Sequence, residues 1–454
     1  MDHPPVARVN VRHLRTEAFR YRTVPVHVCL CCAEGGWWPK EGSVWKFFVV
    51  LMLFTSVLAG CAAPAATPND DASVAVPTSS ADSTVDNTAI KVGGLFDRTG
   101  ATSDVGIAYA NGVQAYVDWL NSNGGIDGRP IDLIDADYAY KVENAERLYS
   151  QYVNTEKVVA IIGWGTGDTE ALSPRLGRDH IPFMSGSLAE TLTNVAKAPY
   201  NFVVGVTYSD QMRIVLQYLL QQRNNAQDLK VAFLYHDSPF GKAPEAALDA
   251  IAAANNLKVL KVAMPRGATD LTVQMREVQS FGPDYVVIQN TPGPASLALQ
   301  NAKTLGLNTQ FILLNFAANE MLIAEAADAA NGVIGALPFA PPHEEVPAVK
   351  TINDHLQRKH QGALTDPDKG LVFSQGWTIM SVMAEGIRRA AAKGQISGET
   401  IRTELEGLQE FSTGGITAPI TFGPQDHQGA RALRLYQVRD AKWIAITDFI
   451  EAKQ

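Results

Sequence analysis

The chain has 454 residues with 47 acidic against 38 basic side chains, a formal charge of −9, and 46% hydrophobic residues. That length suits two or three domains, and the acidic balance argues against nucleic acid as a partner, since phosphate contacts need a basic face. Three of the four cysteines, Cys29, Cys31 and Cys32, sit in the N-terminal stretch, leaving Cys61 alone for the rest. This excludes a disulfide framework or a cysteine-rich metal site in the body of the protein.

Phe47 to Leu58 is an apolar run, FFVVLMLFTSVL, preceded by Lys46. It is shorter than the roughly 18 residues of a membrane-spanning helix and suits the hydrophobic region of a signal peptide. It ends in Leu58-Ala59-Gly60-Cys61, which resembles the bacterial lipobox. That resemblance implies a signal peptide over 44–60 and lipidation of the Cys61 thiol, with the chain held to the cell membrane on its outer side. The Arg- and Pro-rich residues 1–43 fit nothing that precedes a signal peptide, and we read them as an extension from a start codon assigned too early. The Ala-, Pro-, Ser-, Thr- and Asp-rich stretch that follows Cys61 lacks an amphipathic period, so 61–89 is expected to be a lipidated cysteine and a disordered tether.

From Ile90 the pattern changes. A strand is expected over 90–95, then a helix with Val113, Tyr116, Val117 and Leu120 on one face, stopped by Gly124-Gly125. A strand at 131–134, a helix at 145–153, a buried strand at 158–163, a helix from about Thr169 and a strand at 182–184 follow. A second series repeats the theme: strands at 231–235, 258–262, 285–289 and 311–314, with helices at 243–255, 271–281, 295–305 and 320–329. Short apolar strands alternating with helices mean an α/β fold with parallel sheets covered on both faces, here in two lobes.

In open parallel sheets, ligands meet the carboxyl ends of the strands. The loop after strand 158–163 reads Trp164-Gly165-Thr166-Gly167-Asp168-Thr169, and the loop after strand 182–184 reads Ser185-Gly186-Ser187. Their glycines let a ligand approach the backbone, their hydroxyls can bond it, and Asp168 or Thr169 equally suits a helix cap. Enzyme signatures fail. The glycines at 163, 165 and 167 do not make GxGxxG, Pro239-Phe240-Gly241-Lys242 lacks the leading glycine of a P-loop, and neither Ser185 nor Ser187 sits in a GxSxG elbow. His355 and His360 are five apart and do not share a helix face as metal ligands would. We expect no catalysis, cofactor or metal.

The runs Ile90–Gly106, Asn111–Tyr138 and Val158–Pro174 resemble the type I periplasmic binding proteins of ABC importers, and more narrowly the branched-chain amino acid (leucine-binding) family. Asn121-x-x-Gly124-Gly125-Ile126-x-Gly128-Arg129 carries the resemblance. So do Tyr235-x-Asp237-x-x-Phe240-Gly241 and Thr413-Gly414-Gly415 through Pro419-Ile420-Thr421-Phe422. The resemblance covers about residues 90–450. It implies two doubly wound lobes with a hinge and three crossovers, lobe one from 90–207 and 341–415, lobe two from 208–340 and 416–454. It also implies a monomeric receptor that passes a small molecule to membrane permease subunits. A ligand sensor or cell-envelope regulator on the same fold is the alternative.

By position, the family's ligand loops fall on Gly165–Thr169 and Ser185–Ser187 in lobe one, and on Tyr208, Phe240, Asn290 and Asn315 in lobe two. Trp164, Tyr208 and Phe240 would give an aromatic floor. Two departures stand out: Asn315 is neutral where amino-acid binders of the family hold the ligand ammonium with an acid, and Asp168 puts a carboxylate in the loop that normally receives the ligand carboxylate. An aromatic or aliphatic acid, an amide or a polyol are therefore open as ligands, beside an amino acid.

Overall fold

Apolar strands with no polar face must be covered on both sides, and the computed structural model, which describes residues 88–223 and 228–453, solves this twice. The first sheet holds β1 (Ile90–Phe96), β2 (Ile131–Asp137), β3 (Ala160–Gly163), β4 (Phe183–Ser185) and β5 (Asn201–Phe202), all parallel, in the order β2-β1-β3-β4-β5. Between its strands run α1 (Ser103–Ser122), α2 (Val142–Gln151) and α3 (Thr166–Asp179). The expected leader, lipobox and tether, including Cys61, lie outside the described residues.

The chain then crosses to the second sheet through α4 (Tyr208–Gln222). There it lays down β6 (Lys230–His236), α5 (Pro239–Lys242), α6 (Glu245–Asn255), β7 (Lys258–Met264), α7 (Thr272–Phe281) and β8 (Tyr285–Gln289). Next come α8 (Pro292–Thr304), β9 (Gln310–Leu313), α9 (Glu320–Ala326) and β10 (Ile334–Leu337). It returns to the first half with α10 (Pro347–Arg358), α11 (Gly370–Ala392) and α12 (Gly398–Glu406), and α11 packs along α1. A third crossing brings β11 (Ala432–Arg439), β12 (Lys442–Ala445) and β13 (Ile450–Glu451) onto the second sheet.

The sheet contains one feature that the alternating pattern of helices and strands does not announce. β6 to β10 are parallel, but β11 joins β10 antiparallel and pairs antiparallel with β12 and β13. The β11–β12 turn places Asp440 and Ala441 at φ 49° and 57°, the two left-handed positions of a tight hairpin turn that usually takes Asn-Gly or Asp-Gly. Without a glycine there, the sequence lacks the usual hairpin mark. Helix α3 begins at Thr166, three residues before the start read from the sequence.

The α1–α11 contact is backbone against backbone. A Cβ on Gly112 would overlap the Phe373 carbonyl oxygen, and one on Gly376 the Tyr109 carbonyl oxygen. Gly112→Val is expected to pry the helices apart and to destabilise the protein by about 2–3 kcal/mol, within the range for overpacking a dense core. Denaturant unfolding of the variant checks this, and an unchanged midpoint would contradict the close approach.

Candidate functional site

The carboxyl ends of the two sheets face one another, and the loops that leave them line a small chamber. β3 ends at Gly163, and the next residues, Trp164 and Gly165, form one wall before α3 begins. The Trp164 indole N–H donates to Thr102 Oγ1 at 2.8 Å, and that hydroxyl donates to Asp97 Oδ2 at 2.7 Å. The ring is thereby fixed, packed on Tyr109 and on Phe316, each with centroids 4.9 Å away. Thr166 Oγ1 and Ser187 Oγ lie 2.7 Å apart and share a hydrogen bond across the two loops. Tyr140 completes this side from the loop after β2, held at φ 56°.

The second half supplies the opposite wall: Tyr208 at the start of α4, Phe240 in α5, Thr291 before α8, and Phe316 after β9. The Thr207 hydroxyl accepts the Asp210 N–H at 3.1 Å and so caps α4 just behind Tyr208. The Tyr208 hydroxyl is buried and has no hydrogen-bond partner among the described residues. Of the positions read from the sequence, Trp164, Gly165, Thr166, Ser187, Tyr208 and Phe240 line the chamber together. Thr102, Tyr140, Thr291 and Phe316 line it as well and were missed. The signal for them was weak: a hydroxyl just before a helix reads as a cap, and Phe316 reads as core.

The other expected residues stand back from the wall. Gly167 abuts the opposite half, where a Cβ would lie 3.3 Å from Pro239 Cγ. Thr169 donates to the Gly165 carbonyl at 2.5 Å. Ser185 is the buried last residue of β4, and Gly186 packs on the Trp164 ring while its carbonyl accepts from Gln375 Nε2 at 3.1 Å. Asn290 Oδ1 accepts the Thr291 N–H at 2.8 Å. The Asn315 backbone N–H donates to Gln211 Oε1 at 3.0 Å, and its side-chain nitrogen donates to Gln375 Oε1 at 3.4 Å.

Asp168 is neither an open ligand group nor a simple cap. It sits in the first turn of α3, 2% exposed, and accepts the Tyr138 hydroxyl on Oδ1 at 2.9 Å, while Oδ2 has no partner among the described residues. Only Gly165 separates it from the chamber: a Cβ there would meet the Asp168 carboxylate and lie 2.6 Å from the Tyr138 hydroxyl. Burial pushes its pKa up to about 6, against the smaller opposing effect of the Tyr138 hydrogen bond.

The halves also exchange carboxylates. Asp104, in the first turn of α1, accepts the Gly293 N–H at the start of α8 at 3.5 Å. Glu320, at the start of α9, accepts the Leu371 N–H at the start of α11 at 2.8 Å. Neither α8 nor α11 has a side-chain cap of its own, so each receives one from the opposite half, where a negative group suits the helix dipole. Burial raises the pKa of both carboxyl groups. Among the described residues, no group of three or more His, Cys, Asp or Glu is placed to hold a metal ion.

Because the folded state raises the Asp168 pKa from 3.8 to about 6, the native protein binds more protons there than the unfolded chain between those values. Stability from this group is therefore full below about pH 4 and falls as pH rises through 6, by on the order of 3 kcal/mol. Asp168→Asn keeps an acceptor for Tyr138 and removes the charge. The variant is expected to melt above the wild type at pH 7.5, with the difference closing towards pH 4. Melting curves across that range check it, and a variant less stable at pH 7.5 would contradict the assignment.

Residues 89–442 match the family profile described as periplasmic binding protein. A branched-chain amino acid ABC transporter structure from Thermus thermophilus with bound valine superposes with a TM-score of 0.75 and 26% identity, over 80% of this chain and 96% of that one. An ABC transporter substrate-binding protein from Aeropyrum pernix gives 0.74 and 28%, over 81% and 96%. In sequence, the Leu/Ile/Val-binding protein homolog 7 of Brucella abortus is 24% identical over 235 residues, 49% of this chain. The match spans only 58% of that relative's own length. The profile runs through both sheets and both walls of the chamber, and both structural relatives superpose over about four fifths of the chain: the chain belongs to the type I periplasmic binding protein family.

Proposed function

We propose that this protein is the extracytoplasmic solute receptor of an ABC importer, capturing a small molecule between its two halves and presenting the shut form to membrane permease subunits. The observation that carries the reading is the chamber itself, walled from both halves by rings and hydroxyls at the carboxyl ends of both sheets. A ligand that touches both walls favours the shut arrangement through contacts that the open one lacks. The boundaries follow the three crossings, with 90–207 and 341–415 as one lobe and 208–340 and 416–454 as the other. The binding residues are the chamber wall, with Ser185, Gly186, Asn290 and Asn315 supporting it from behind. The Leu58–Cys61 sequence supports an anchor through lipidated Cys61. Among the described residues no helix is long and apolar enough to cross a membrane. Among the described residues, no imidazole is bonded to the hydroxyl pair Thr166–Ser187.

A thermal-shift panel of amino acids, organic acids, amides, amines and sugars on the full-length chain tests this. A true ligand at 100 times its Kd adds about 2.7 kcal/mol, a shift of a few degrees in a protein of this size. Ser187→Phe, which fills the chamber, is expected to abolish that shift. A panel that leaves the wild type unmoved, or a shift that survives the filling substitution, would overturn the reading.

A further inference from the structure

We propose that the chamber takes a small organic cation, an ammonium that carries no neighbouring carboxylate. The inference deepens the receptor reading and rests on it, since it takes the chamber as the ligand site. Five aromatic rings, Tyr140, Trp164, Tyr208, Phe240 and Phe316, stand in the wall. Four of them form a connected set, with centroids 4.9 Å apart for Trp164–Phe316, 5.4 Å for Tyr208–Phe240 and 6.0 Å for Phe240–Phe316. The face of an aromatic ring is the negative part of its quadrupole, and a desolvated cation enclosed by several rings gains from each.

The charges behind the wall are mostly negative, with the Arg266 guanidinium acting on Tyr140 and His236 from the second half. Among the described residues, those lining the chamber include no Lys, Arg or His. His236 stands behind two of the rings, 6.4 Å from Tyr140 and 6.0 Å from Phe240, and burial lowers its pKa to about 4, so it is neutral at physiological pH. Three carboxylates approach from the first half. Asp168 lies one glycine away with an unpartnered oxygen, Asp97 holds the Thr102 N–H at 2.9 Å and its hydroxyl, and Asp104 reaches the start of α8.

This arrangement leaves a ligand anion without a place. The starts of α3 and α8 are the helix termini that would bind a carboxylate through their N–H groups. The start of α8 already holds Asp104, and Asp168 lies buried in the first turn of α3. A second buried anion beside them would meet like charge in a poorly solvated space. An ammonium meets the rings and the hydroxyls of Thr166, Ser187 and Tyr208, with the Asp168 carboxylate behind Gly165. An α-amino acid finds partners for only one of its two charged ends.

Calorimetric titration of the full-length chain with choline and with its uncharged carbon isostere, 3,3-dimethyl-1-butanol, isolates the charge at constant shape. Choline is expected to bind at least tenfold more tightly than the isostere. Asp168→Asn is expected to reduce that preference about tenfold while leaving the isostere within twofold. Equal affinities, no binding of choline, or valine binding more tightly than choline would each overturn the cation. The receptor reading is judged separately. If some other ligand binds and Ser187→Phe abolishes it, the chamber remains the site and only the charge inference falls. If binding persists in Ser187→Phe, the site itself is elsewhere.

Discussion

Parallel strands buried on both faces have only their ends left for chemistry, and this constraint organises the protein. Strands such as Ala160–Gly163 and Tyr285–Gln289 are apolar because helices cover both sides of them. Polar and glycine residues are therefore pushed into the loops at the carboxyl ends. When two such sheets are joined so that those ends oppose one another, every loop that leaves a strand becomes part of one wall or the other. The chamber is in that sense a by-product of sheet topology, and its character is set by a few loop residues.

Much of the fold was legible because buried parallel strands read as short apolar runs bounded by glycine or polar loops. The strands at 158–163, 231–235 and 285–289 stand out for that reason. The pieces that were not legible have physical causes. The two-residue β5 pairs only with the edge of β4 and carries no periodicity. The β11–β12 hairpin turns on Asp440 and Ala441 without a glycine. Strand β10, IGAL, is so short that its burial on both faces leaves no alternation to see.

The site was legible at the level of loops and less so at the level of side chains. Six of the residues read from the sequence do line the chamber, because strand-end loops are forced towards it. Which side chain of a loop points inwards depends on backbone angles that the sequence does not display. Tyr140 enters through a left-handed backbone that a non-glycine residue seldom adopts. Asp168 turns away because Tyr138, thirty positions earlier, offers a hydroxyl on the far side of Gly165. A tertiary partner decided the direction of a side chain that local reasoning had left between cap and ligand contact.

The exchanged caps, Asp104 on α8 and Glu320 on α11, have a consequence for how the halves part. Each helix start is bonded across to the opposite half, so if the halves part as proposed, the Gly293 and Leu371 amides lose those partners together. Those two protons sit on different halves, yet their solvent exchange should be governed by the same opening event. Under the proposed opening, the molecule carries in its own backbone a paired clock for how often its halves part.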